Sequence, residues 1–176
     1  MIRRALSALL CASSCASSFT LPDGAEAQEP TRRADAGGMH VSWRWEDEQL
    51  HLLVRAPTTG WVAVGLNDRA ELDGSLLIMC AVVSGAATPT VRCEEHIARP
   101  PDHPSRRSLG GRDQVHTVRG AERDGATEIA VTMSVVPDTV APPLRRGQRV
   151  HMTLAWSAEK DFNHHSRMRT MVEVVL

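Results

Sequence analysis

From Met39 onward, hydrophobic and polar residues alternate with a period of two along most of the chain. Val41, Trp43 and Trp45 fall on one face of a segment whose other face carries His40, Ser42 and Arg44. Leu50, Leu52 and Val54 repeat the pattern after Glu46-Asp47, which predicts a hairpin with one buried face. His51 falls on the polar side and reads as solvated. The turn Pro57-Thr58-Thr59-Gly60 leads into residues 60–66, GWVAVGL, where small and bulky residues alternate. Such a strand is suited to lie against something large on one face. Residues 67–74 are polar and loop-like, with Asp73-Gly74 as turn punctuation. Residues 76–83 are an unbroken apolar run, as expected of a strand buried on both faces.

Residues 90–96 supply the returning strand of a second hairpin. If its loop, residues 84–89, is symmetric, Cys80 faces Cys93, and Met79 and His96 share the opposite face. Residues 98–113, ARPPDHPSRRSLGGRD, are too rich in Pro, Gly and Arg for a strand and read as a long loop, a length often linked to function. Strands are predicted at 113–119 and 126–134, the second with Ile129, Val131 and Met133 inward. Residues 140–147 form a connection. Val150, Met152, Leu154 and Trp156 alternate in another core strand, 157–164 is a loop, and 169–176 is the final strand. No stretch carries a helical period of useful length. Short strands separated by turn signals predict an all-β, Ig-like antiparallel β-sandwich.

The chain has 176 residues, enough for one domain with a substantial core. Its start reads as a secretory signal peptide, residues 1–27: Arg3-Arg4, a short apolar run, and Ala25-Glu26-Ala27 as a small-x-small cleavage site. The run is too short and too polar to span a membrane, so the mature chain is expected to lack a transmembrane segment and to be periplasmic or secreted. Acylation at Cys15 is the lesser alternative, because a bulky aliphatic residue usually stands three positions before such a cysteine. Residues 28–38 read as a flexible polar leader and 39–176 as the folded domain. Cleavage leaves Cys80 and Cys93 as the only cysteines, and export permits them to form a disulfide. The net charge of −1 gives no basic footprint for nucleic acid. With no tyrosine and two phenylalanines, stacking platforms are scarce, whereas eight histidines and seven methionines lean toward a metal or haem.

Gly60-Trp61-Val62-Ala63-Val64-Gly65, the loop Asp68-Arg69-Ala70-Glu71-Leu72 and the apolar strand after it resemble the DOMON domain, a β-sandwich module, and in particular its dopamine β-monooxygenase group. Leu154-Ala155-Trp156, followed by a polar loop and His165-Ser166-Arg167, resembles the same family, so that the likeness covers residues 39–176. What members bind varies, so the resemblance implies the fold more firmly than the function. In haem-binding members a methionine after the Gly-Trp strand and a histidine before the last strand hold a b-type haem. Here Leu72 stands at the methionine's place, and leucine cannot ligate iron. Met79 is the nearest substitute, His164 and His165 stand at the histidine's place, and Trp61 belongs to the same strand motif. Met79 with His165 is therefore the expected axial pair, and electron transfer the expected role, since two axial ligands leave no open position for substrate. The aspartate implied for a structural metal site in the dopamine β-monooxygenase group is replaced by Leu76.

Rival readings come from other classes. His96, His103, His164 and His165, with Met79, make an imidazole–thioether set that suits copper or another transition metal. A non-redox module recognising a sugar or a protein partner would instead show exposed aromatics and polar groups at its site. The histidines also have a plain role open to them, hydrogen-bonding the 157–167 loop together with Asp161, Asn163 and Ser166. Catalysis finds little support. There is no nucleophile elbow, Glu94 and Glu95 point to opposite faces of a strand, and Gly110-Gly111 lacks the context of a phosphate loop.

Overall fold

A computed structural model describes residues 31–83 and 90–176. The expected signal peptide, Cys15 and the 84–89 hairpin loop lie outside the described residues. Among the described residues ten strands follow one another: β1 (Arg32–Ala36), β2 (Met39–Glu46), β3 (Gln49–Ala56), β4 (Val62–Asn67), β5 (Leu76–Val83), β6 (Thr90–Ile97), β7 (Val115–Arg123), β8 (Ala126–Ser134), β9 (Arg149–Trp156) and β10 (Met168–Val175). They form two five-stranded sheets, β1-β2-β3-β8-β7 and β10-β9-β4-β5-β6. Every neighbouring pair is antiparallel. The fold is the expected all-β sandwich.

The alternation read from the sequence decides which side chains meet between the sheets. Val41, Trp43 and Trp45 of β2, Leu50, Leu52 and Val54 of β3, and Ile129, Val131 and Met133 of β8 enter the core from the first sheet. Val62, Val64 and Leu66 of β4, Leu76, Ile78, Cys80 and Val82 of β5, and Val150, Met152 and Leu154 of β9 enter from the second. The hairpin of β5 and β6 has the symmetric register: Cys80 pairs with Cys93 and the two are disulfide-bonded, with Cα atoms 4.2 Å apart. Leu77 pairs with His96 and Met79 with Glu94, so Met79 and His96 do share a face.

The folded domain begins earlier than residue 39, where the sequence placed its start. Residues 32–36 are not a flexible tail but the edge strand β1, paired with β2 from Arg32↔Trp43 to Ala36↔Met39. Main-chain pairing and two small side chains, Ala34 and Ala36, packed on the core explain this. The polar residues that made the segment look unstructured, Arg33 and Asp35, are its outward face. Arg32 and Trp43 also donate side-chain hydrogen bonds to the Val175 carbonyl, at 3.0 and 3.1 Å, which ties the first sheet to β10.

The 98–113 segment is a loop, as expected, and it is firmly held. Within it Arg107–Leu109 makes one 3-10 turn. Arg106, 1% exposed, donates to buried Glu95 at 2.6 Å and to Asp138 at 2.5 Å. The other Glu95 oxygen accepts the backbone N–H groups of Gln114 and Val115. One charge cluster thereby fastens β6, the long loop, the start of β7 and the segment after β8. Burial works against ionisation of Asp138, but the N–H groups of Ala141 and Val140 and the Arg106 guanidinium outweigh it and hold its carboxyl below the ordinary value.

Candidate functional site

The strand Gly-Trp-Val-Ala-Val-Gly explains where a site can form. While Val62, Val64 and Leu66 fill the core, Trp61, Ala63 and Gly65 point to the outer face of the second sheet. The neighbours of Ala63 are Met79 on β5 and Ala155 on β9, and those of Gly65 are Leu77 and Thr153. Small residues on the central strand, flanked by small residues on β9, leave a low floor across three strands. A Cβ at Gly65 would meet Leu77 Cδ2 at 2.8 Å and Thr153 Cβ at 3.0 Å, so glycine is what keeps the floor closed and flat there.

Two loops raise walls around this floor. The first is the 98–104 stretch, closed on itself by backbone bonds between Arg99 and Asp102 at 2.9 and 2.8 Å. It is pinned to the β4–β5 loop, where Gly74 donates to Ala98 at 2.8 Å and Ala98 to Ser75 at 2.9 Å. Asn67, 1% exposed, spans the β4–β5 loop by donating to the carbonyls of Glu71 and Asp73 at 2.8 and 2.9 Å, which sets Leu72 at the cavity edge. The second wall is the 157–167 loop. Its buried Phe162 joins Trp61, Ala63, Met79, Ala81 and Ala155 in a separate apolar cluster, and the Arg92 guanidinium lies 4.0 Å above its ring. Thr58 holds the loop's near end by donating to the Ser157 carbonyl at 2.6 Å.

Between floor and walls lies a cavity of about 1050 Å³, at the upper end of ligand-sized cavities. Met79, Trp61, Leu72, His103, His164 and His165 all line it. The fold thus gathers Leu72 and Met79 around one cavity with both histidines. Met79 is 3% exposed on the floor, and the two histidines stand at the exposed rim. Residues 162–164 turn and bend and do not run extended, and His164 and His165 reach the same cavity where strand neighbours would diverge. The His164 amide donates to the Asp161 carbonyl at 3.1 Å and its ring lies 3.5 Å from the Asp161 carboxylate. Among the described residues, the His165 ring makes no hydrogen bond or ion pair.

His96 stands differently. It is buried, its Nδ1 donates to the His103 carbonyl at 2.7 Å, and its Nε2 lies 3.2 Å from Glu94. Both ring nitrogens are engaged within the protein, and His96 does not line the cavity. His103 packs edge-on against it with ring centroids 5.0 Å apart. Burial pushes the His103 imidazole below its ordinary value, and His96 and His165 add to the shift against the opposing effect of Asp102. The four histidines of the expected metal set are therefore split between a cavity rim and a buried hydrogen-bonded position. Among the described residues no group of three His, Cys, Asp or Glu side chains is arranged to hold a metal ion.

Several contributors were not singled out from the sequence. Arg99 and Arg169 line the cavity, both exposed and without an ion pair among the described residues. Thr153 Oγ1 and Trp61 Nε1 are buried polar atoms of lining residues with no partner in the protein. The small outward residues of β9, Thr153 and Ala155, carry the same alternation as β4 and were open to the same reasoning. The two arginines lie outside any motif and are brought to the cavity only by loop geometry. No protein-family model matches the chain, and no curated protein matches it either. Among the described residues, no helix is long and apolar enough to cross a membrane.

Proposed function

We propose that this chain is an exported binding module of the DOMON type, whose outer-sheet cavity holds haem b for electron transfer. The observation that carries this is that Met79, on an apolar floor, and His165, on the rim formed by the 157–167 loop, line one ligand-sized cavity. The donor set suits the group. A buried thioether and a histidine free of other partners are a low-spin, electron-transfer pair of ligands. The floor of Ala63, Gly65, Leu77 and Ala155 is the kind of apolar surface on which a porphyrin ring lies, and Trp61 closes one end. Arg99 and Arg169 offer cations for carboxylates at the mouth. When bound, the haem supplies a one-electron couple. The chain's own contribution is to hold it, exclude water from the Met79 side and set its potential through the thioether.

A sugar-binding reading has less to support it, because the site's tryptophan is 4% exposed and offers no open stacking face. A copper reading would need His96 to give up both of its hydrogen-bonding partners. The test is the absorption spectrum of protein purified from haem-replete cells. A low-spin b-type spectrum is expected. Colourless protein that also fails to take up added haemin would overturn the proposal and leave a non-redox binding module.

A further inference from the structure

The outer face of the first sheet carries a second feature, unrelated to the cavity. Toward the β1 edge its cations have acids beside them: Arg33–Asp35 at 2.7 Å, His40–Asp35 at 2.5 Å and Arg44–Glu46 at 2.9 Å. Toward the β7 edge the pattern changes. Arg55 on β3 and Arg119 and Arg123 on β7 stand around a groove of about 340 Å³ that runs along β8. All three are exposed, and among the described residues none makes an ion pair or a side-chain hydrogen bond. The groove exists because Ala121, Ala126 and Ala130 are too short to fill the space between the arginines. Glu128 is the single acid in its lining.

Register gives this surface a spacing. Ala130 pairs with Leu53 on one side and Arg119 on the other. Glu128 pairs with Arg55 and Ala121, and Ala126 with Arg123. Arg119 and Arg123 are thus four strand residues apart, about 13 Å, with the Glu128 row midway between them. An extended peptide places every second side chain on one face at the same rise. We infer that this groove docks an extended segment of a partner protein with acidic residues at positions i and i+4 and a basic or neutral residue at i+2. The acids meet Arg119 and Arg123, whose planar forks match carboxylates. A basic residue at i+2 meets Glu128, and an acid there would face it. Leu53, 44% exposed beside the Arg119 row, adds an apolar contact. The lining has no aromatic ring on which a sugar would stack, which favours peptide over glycan.

The test is fluorescence anisotropy of a labelled peptide, acetyl-Ser-Glu-Thr-Lys-Thr-Glu-Ser-amide, titrated with the exported protein. Its comparison is the same composition reordered as Ser-Glu-Thr-Glu-Thr-Lys-Ser. The first peptide is expected to bind at least fivefold tighter. Arg119→Gln and Arg123→Gln should each weaken it at least threefold, and Arg33→Gln, on the opposite edge of the sheet, should leave it unchanged. Equal affinity for the two orders, no binding by either, or indifference to both groove substitutions would overturn the inference. So would tighter, arginine-dependent binding of a heparin hexasaccharide, which would make the groove a site for sulfated glycans.

Discussion

Arg106 is the residue on which most of the loop architecture depends. Its guanidinium is fully buried between Glu95 and Asp138. Removing one partner of a buried pair leaves the other charge stranded, at a cost of about 3–5 kcal/mol. Arg106→Met is therefore expected to lower stability by that amount in urea unfolding. Adding Glu95→Leu should recover only part of it, because Glu95 also accepts from the amides of Gln114 and Val115. None of this was visible beforehand. Arg106 lies in a Pro- and Gly-rich loop and Glu95 in a strand, and only the meeting of the two sheets' edges brings them together. pH acts at the same scale. His103 is depressed below its ordinary 6.5 in the folded chain, so the unfolded chain takes up that proton first. Stability is then expected to fall as pH drops through the region below about 6.5. Asp138, held below 3.8, adds a second loss as pH falls below that value. Urea midpoints measured between pH 8 and pH 3 check both windows. His103→Asn should flatten the upper one and leave the lower.

At the scale of elements, the period-two pattern located most strands, because a strand that buries one face reports it by alternation, while β5, buried on both faces, showed itself as an unbroken apolar run. It failed at β1, whose inward apolar residues are only Ala34 and Ala36 and whose outward face is charged, a pattern that looks the same as a polar leader. The hairpin of β5 and β6 was legible down to its register, since pairing the two strands symmetrically about residues 84–89 sets Cys80 opposite Cys93, as observed. Replacing Cys80 and Cys93 together with alanine should cost about 3 kcal/mol on the chain-entropy account of a short closed loop. Denaturant unfolding measures it, and unreduced mass spectrometry shows the bond in exported protein. The central strand β4 makes a sharper forecast. Ala63, 5% exposed, sits between Met79 and Ala155 on the cavity floor. Ala63→Leu should fill the floor and abolish haem uptake, at a cost of about 1–3 kcal/mol in urea stability from crowding Trp61, Met79 and Phe162.

At the scale of the whole molecule, the two sheets divide their labour. One face of each builds the shared core, and the free faces carry a large cavity with an apolar floor on one side and a smaller arginine-lined groove on the other. The floor of the cavity was legible in the alternation of small and bulky residues along β4, which called for something large on one face. Its walls were not, because loops 98–104 and 157–167 have no periodicity from which their positions can be read. The central claim is that Met79 and His165 hold haem b across this cavity. A haemin titration followed at the Soret band tests it most directly, on the unaltered protein and on His165→Ala, His164→Ala and Met79→Leu. Stoichiometric uptake with a low-spin spectrum is expected, lost in His165→Ala, weakened or shifted in Met79→Leu and largely kept in His164→Ala. No uptake by the unaltered protein, or a His165→Ala variant that differs only in thermal stability, would contradict it.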